Sequence, residues 1–334
     1  MSSLVNKYQM KPIAIKVHID KEVNYYDITW KLHNVCTYDC SFCGPEYKGG
    51  SERWLSLEEN KSIFDKIYKA ANGKLIWIIF SGGEPTLYPH FIELAKYIKS
   101  KNCYLGVISN GTRSLRWWEE VRDANVLDNL MLTLHPEQGA QPDHFADVLN
   151  LFIDKPTATT CWITSTKETI DKAITSHILL KKKTGAILLL KPMNIADYQL
   201  KDYFKPQHEI YLKRYRNSRG DLWHMKKETG IPKEMTVENN CIKIEMSDGS
   251  TIRSSTQEAI HNSWNRFKGW NCNIGEFQAF IDRHRLHRGA CFHTKPGYIN
   301  LLEEDAKFIS DPIVCPNEGC FCGSDLISTK YKDI

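Results

Sequence analysis

The chain has 334 residues, with 44 lysines and arginines against 40 aspartates and glutamates for a net charge of +4; 42% of residues are hydrophobic and 25% charged. Such a length can bury a core large enough for one barrel plus a smaller domain, and so mild a charge argues against nucleic acid as the main partner. No apolar run reaches membrane-spanning length and the first residues lack the apolar centre of a secretory signal, so the expectation is a cytoplasmic protein with no membrane partner.

From residue 24 to about 200 the sequence alternates strand-like and helix-like segments at the rhythm of βα units. Strands are predicted at 25–32, 74–80, 104–109, 130–135, 160–164 and 187–191. Helices are predicted between them at 57–71, 90–101, 115–124, 142–154 and 168–182. Ser56 with Glu59 three residues on has the form of a capping box for the first helix.

Between the first strand and the first helix runs Val35-Cys36-Thr37-Tyr38-Asp39-Cys40-Ser41-Phe42-Cys43. Three thiolates are one too few for a closed tetrahedral zinc site or for all four irons of a cubane, and an iron without a cysteine can bind a small molecule. The second strand, an apolar β-branched run, leads straight into Phe80-Ser81-Gly82-Gly83-Glu84-Pro85. Two glycines there let a ligand approach the backbone, and Glu84 offers a carboxylate to a cation. Ser109-Asn110-Gly111 follows the third strand. Thr133 and His135 close the fourth, Thr164 and Ser165 the fifth.

Residues 201–240 break the rhythm. Their basic stretch from Lys213 to Arg219 reads either as a solvated connector or as a substrate-facing segment for an anionic group. From 241 to 253 an alternating pattern around Asp248-Gly249 is a hairpin signal. The last quarter then holds Cys272, Cys291, Cys315, Cys320 and Cys322. A strand–turn–strand between Cys272 and Cys291 would bring two thiolates to one metal, and the terminal group can supply the rest. Of the eleven cysteines, Cys103, Cys161 and Cys241 sit in apolar or strand-like contexts and read as core.

The Cys-x3-Cys-x2-Cys loop with an aromatic before its last cysteine, and the Gly-Gly-Glu-Pro turn after the next strand, resemble the radical S-adenosylmethionine (SAM) superfamily. The resemblance implies a partial (β/α)6 barrel over 24–200, an α/β fold of the TIM-like kind. It implies a [4Fe–4S] cluster on Cys36, Cys40 and Cys43 whose fourth iron chelates SAM. By the same resemblance SAM would meet Phe42 at the adenine, Gly82, Gly83 and Glu84 at the methionine ammonium, and Ser109 and Asn110 at the ribose or carboxylate. Thr133 and Ser165 would face the same space. The five later cysteines resemble the twitch and SPASM extensions, which carry auxiliary [4Fe–4S] clusters. A full SPASM domain has cysteines for two clusters, so five point to one, in a small cysteine-rich α+β domain over 241–334, with residues 1–23 as an N-terminal extension.

The activity implied is reductive cleavage of SAM and hydrogen-atom abstraction, with oxidation or cross-linking of a small molecule or peptide and a reductant such as flavodoxin or ferredoxin. Two other readings stay open. One is a radical SAM enzyme acting on a nucleotide or RNA, resting on the basic 213–219 segment. The other is a zinc-binding protein without catalysis.

Overall fold

Apolar side chains at every second position of the predicted strands decide the architecture. The computed structural model describes residues 13–19, 23–48, 50, 53–193, 208, 242–292, 297–309 and 311–332. In chain order the elements are β1 (Ala14–Ile19), β2 (Tyr25–Lys31), α1 (Leu57–Ala71), β3 (Leu75–Ser81), α2 (Phe91–Lys99), β4 (Tyr104–Ser109), α3 (Leu115–Ala124), β5 (Asn129–Leu134), α4 (Pro142–Leu151), β6 (Ala158–Ser165), α5 (Ile170–Lys183) and β7 (Ile187–Pro192). There follow β8 (Ile242–Met246), β9 (Thr251–Ser254), α6 (Thr256–His261), β10 (Asn271–Cys272), β11 (Gln278–Asp282), β12 (Arg285–His287), β13 (Ile299–Asn300), β14 (Ile313–Val314), α7 (Gly323–Leu326) and β15 (Lys330–Tyr331).

Strands β2 to β7 lie side by side in sequence order, all parallel, each followed by its helix up to β7. This is the expected partial barrel. Ile28 and Trp30 of β2, Ile78 and Phe80 of β3 and Leu130 and Leu132 of β5 join one core with Ile63, Phe64 and Ile67 of α1 and Leu94 of α2. The alternate positions, among them Thr29, Lys31, Met131, Thr133 and Trp162, therefore face the concave side. At the strands' N-terminal ends Tyr25, Trp77, Tyr104 and Ala158 pack together and close that side. The open mouth is left at the C-terminal ends.

Local chemistry fixes the helices. Ser56 Oγ accepts the Glu59 N–H while the Glu59 carboxylate accepts the Ser56 N–H, the capping box foreseen for α1. Asn72 and Asn125 take the left-handed conformation that ends α1 and α3.

The two ends of the chain meet in a second sheet, ordered β14-β10-β15-β1-β8-β9. Within the stretch 1–23, β1 lies between β8 and β15 and buries Val17 and Ile19 in their core. The expected hairpin forms between β8 and β9, with Gly249 at φ +81° in its turn. The strand–turn–strand between Cys272 and Cys291 is also present as β11 and β12. It leaves the terminal sheet, however, and β11 adds to the barrel edge, parallel to β2. The terminal region and the barrel therefore share a sheet. The 201–240 connector, except His208, and Cys241 lie outside the described residues; Cys103 and Cys161 are buried as expected.

Candidate active site and a second cysteine cavity

The cysteine loop leaves β2 and is pinned by its neighbour. Leu32 N–H donates to Ser81 O, Gly83 N–H to His33 O at 3.0 Å and Glu84 N–H to Val35 O at 2.7 Å. A Cβ on Gly82 would overlap His33 O and one on Gly83 would overlap Val35 O, and Gly82 has φ +136°. The room these glycines leave is taken by the chain's own residues 33–35 rather than kept open for a ligand. That changes the physical reason for the glycines: they let the cysteine loop lie on the β3 exit.

Glu84 is likewise built in. It is 1% exposed. Its Oε1 accepts from Thr86 N–H, Thr86 Oγ1–H and Ser109 Oγ–H, and its Oε2 accepts from Asn110 N–H at 2.6 Å. Burial raises the carboxyl above its ordinary value, while these four donors favour the ionised form. Oε1 is full; Oε2 keeps one acceptor position. Asn110 completes the knot, its Nδ2 donating to Thr37 Oγ1 at 3.0 Å and lying 3.6 Å from Cys36 Sγ. One buried carboxylate thus ties the exits of β3 and β4 to the cysteine loop.

Within that loop Cys43 N–H donates to Cys40 O, closing a turn, and Tyr38 N–H points at Cys36 Sγ. Burial pushes all three thiols up, Cys40 to about 12; Glu84 adds to it at Cys36, Glu137 and the other two sulfurs at Cys40, and Cys36 at Cys43. Such thiols become thiolates when a metal offsets the charge. Three free sulfurs on one loop, with Ser109 and Asn110 held beside them, fit a cluster with one open iron. Phe42 stacks on His135 with ring centroids 5.9 Å apart, and His135 Nδ1 is 3.3 Å from Cys40 Sγ. Burial, then Lys191, lowers His135 to about 4, so it is neutral at physiological pH.

Thr133 lies on the concave face by the alternation along β5. Ser165 does not: alternation along β6 places it with Cys161 and Ile163 on the helix-packed side, fully buried, and among the described residues its Oγ has no hydrogen-bond partner. Sequence reasoning missed a buried ion pair at the mouth. Lys31 Nζ meets Asp282 Oδ1 at 2.9 Å and Glu46 O at 3.2 Å, beneath the Tyr47 ring. It fastens the end of the cysteine loop to β11, 2 strands being joined by one charge pair. No local pattern announces a partner so distant in sequence.

The terminal cysteines resolve into four and one. Cys272, Cys291, Cys315 and Cys320 line a single cavity with Asp325 and Lys330; Cys322 is outside that lining, at the N-cap of α7. The sheet assembles them. Cys272 pairs with Ile313 of β14 and Lys330 of β15, and Cys315 follows β14 directly with its N–H on Trp270 O. Cys320 N–H donates to Asn265 O, and Cys291 N–H to Asp325 Oδ2 at 2.6 Å. Burial raises the Cys272, Cys291 and Cys320 thiols, and Asp325 raises Cys291 further. Among the described residues no three His, Cys, Asp or Glu side chains converge tightly enough for a single ion. The thiols line the cavity's walls, and the four-sulfur donor set is one that iron–sulfur clusters and zinc both accept.

A parallel half-barrel with a three-thiol loop at its mouth defines a class: α/β barrel proteins that carry their chemistry at the strand C-termini. The radical SAM superfamily profile matches residues 30–196, half of the chain, and the chain belongs to that superfamily, whose members bind SAM at a [4Fe–4S] cluster. A curated relative, the Fe-coproporphyrin III synthase of Methanosarcina barkeri (strain Fusaro / DSM 804), is 35% identical over 86 residues. That match spans 25% of this chain and about a fifth of the relative, 21%. Among solved structures, anSMEcpe with bound AdoMet and the Kp18Cys peptide aligns with a TM-score of 0.52 and 16% identity, over 84% of this chain and 78% of that one. SuiB of Streptococcus suis bound to S-adenosylmethionine aligns with a TM-score of 0.51 and 14% identity, over 84% of this chain and 64% of that one, just under two thirds. At these identities the likeness speaks for the fold.

Proposed function

We propose that this protein is a SAM-cleaving radical enzyme whose barrel, residues 24–200, holds a [4Fe–4S] cluster on Cys36, Cys40 and Cys43. The observation that carries this is the three-thiol loop hydrogen-bonded onto the exits of β3 and β4 through Gly83, Glu84 and Asn110. When bound, the cluster and SAM supply reductive cleavage to methionine and a hydrogen-abstracting 5′-deoxyadenosyl radical, with the electron coming from a donor such as flavodoxin or ferredoxin. The chain's own groups bind and orient. The Gly82–Glu84 turn stands beside the methionine ammonium, and the buried Glu84 holds that turn and Asn110 in place for it. Ser109 and Asn110 fix the ribose or carboxylate side, Phe42 takes the adenine face, and Thr133 lines the substrate space. Holding the substrate carbon near the radical and keeping water out is the barrel mouth's task.

In the same reading Cys272, Cys291, Cys315 and Cys320 would hold one auxiliary [4Fe–4S] cluster in the 241–334 region, and such a cluster would supply an electron acceptor for oxidation of the substrate. The substrate is a small molecule or a peptide. Solved neighbours crystallised with the Kp18Cys peptide and with the precursor peptide SuiA make peptides the first to try.

The test is anaerobic reconstitution with iron and sulfide, then dithionite and SAM, with 5′-deoxyadenosine measured by chromatography. The expected result is 5′-deoxyadenosine from the unaltered chain and none when Cys36, Cys40 and Cys43 are all changed to Ala. Undiminished formation in that variant would overturn the assignment.

A further inference from the structure

A lysine inside the four-thiol cavity has no role in the reading above. Lys330 is 1% exposed and stands on β15, in register with Cys272. Its Nζ donates to Asp325 O at 2.7 Å, Ser328 O at 2.9 Å and Leu326 O at 3.3 Å. Those three acceptors use all three ammonium hydrogens. The side chain is therefore neither a metal ligand nor a mobile proton carrier. It is a point charge held in place, with the Phe267 ring at 5.3 Å on another side.

Burying an ammonium is costly unless negative charge stands near it. Carbonyls supply dipoles but no net charge. The carboxylate closest in sequence, Asp325, lines the same cavity and feels Lys330, but both its oxygens are engaged by the N–H groups of Ala290 and Cys291 and none of the lysine's three hydrogen bonds goes to it. Sulfur shares the cavity with Lys330: Cys272, Cys291, Cys315 and Cys320 line it too, and Cys272 is its register partner across the strand pair, on the same face of the sheet.

We propose that Lys330 is a built-in countercharge for the four-thiolate site, fixed by its carbonyl cage so that it eases electron entry into the group held there. This rests on the reading of that site as an iron–sulfur cluster. Reduction adds a negative charge to a cluster whose thiolates already make it anionic. In a cavity of low dielectric a fixed positive charge lowers the energy of the reduced form more than that of the oxidised one. Asp325 works in the opposite sense, so the two buried groups set the potential between them.

The experiment uses the full chain with Cys36, Cys40 and Cys43 changed to Ala, reconstituted anaerobically, so that only the terminal site reports. Iron, sulfide and zinc are counted, and the midpoint potential is read by redox titration followed by electron paramagnetic resonance. Lys330→Met is expected to keep the iron and to move the midpoint to a more negative value, while Lys330→Arg stays close to the parent. A Met variant with full iron and the parent's midpoint overturns the proposal while leaving the cluster reading intact. A parent with zinc or without iron overturns both. Should Lys330→Met lose its iron, Lys330→Gln decides, because its neutral amide can still donate to the carbonyl cage. A more negative midpoint in that variant supports the countercharge, and an unmoved one overturns it.

Discussion

The two cysteine sites are built in opposite ways. At the barrel mouth three thiols come from one loop of eight residues, 36–43, and the fold's work is to press that loop onto the exits of β3 and β4. In the terminal region four thiols come from segments far apart in sequence, and a sheet that includes β1 and β15 brings them together. The first site puts its ligands on a local segment and leaves one side open to the mouth. The second surrounds its ligands with buried groups, including the charges of Asp325 and Lys330. In the function proposed above, the local, open site is the one that would admit a cosubstrate, and the dispersed, closed one would need only to exchange an electron.

Breaking one site should spare the other, and the largest effect is expected from Gly83→Ala. Its Cβ would press on Val35 O and lift the cysteine loop, a strain of roughly 1–3 kcal/mol. SAM cleavage should collapse while iron at the terminal site stays, as measured by 5′-deoxyadenosine and iron content. Next, Cys272→Ser should remove about half of the iron, about four atoms, whereas Cys322→Ser should remove none. Equal losses would return Cys322 to the ligand set. Glu84→Gln should weaken SAM binding by about one to two decades in a titration, the worth of a hydrogen bond to a charged group. It should also lower the melting temperature, because the new amide NH2 faces donors that now point at a carboxylate. A lower melting temperature with unchanged affinity would make Glu84 a tie within the fold alone.

The smallest effect is at the capping box. Arg53 and the Ser56 backbone hold Glu59 down at about 2. A carboxylate depressed in the folded state contributes stability above its unfolded value, and that contribution is lost as pH falls from about 4.5 towards 2. Glu59→Ala should therefore cost roughly 0.2–1 kcal/mol at neutral pH, the worth of a mostly exposed ion pair. The difference in melting temperature from the parent should vanish near pH 2. A gap that persists in acid would mean the side chain acts through packing.

How far the sequence carried these sites follows from the same contrast. Strand β4 and helices α1 and α3 fall on the residues foreseen because their signals are local: a Ser before the first turn, an Asn at the end, an apolar run of strand length. The three-thiol loop was legible for the same reason. Strand β1 was not, since Val17 and Ile19 find their partners some 225 residues away and nothing nearby marks them as paired. The five terminal cysteines were visible as a group, yet only the fold separates Cys322 from the four in the cavity. Lys330 and Asp325 carry no signal at all, because charged residues near a chain end usually belong to the surface. Glu84 and its glycines were found for their position, while their structural work, joining loop to strand exits, needed coordinates. Ser165 was placed by its spot at a strand end, and alternation along β6 turns it to the other face.

That two separate sites each hold their own iron–sulfur cluster is tested most directly by metal analysis of the full chain with Cys36, Cys40 and Cys43 changed to Ala. After anaerobic reconstitution that protein should still carry about four irons and about four sulfides, against about eight of each in the unaltered chain. A variant that holds zinc instead, or no metal, would contradict it.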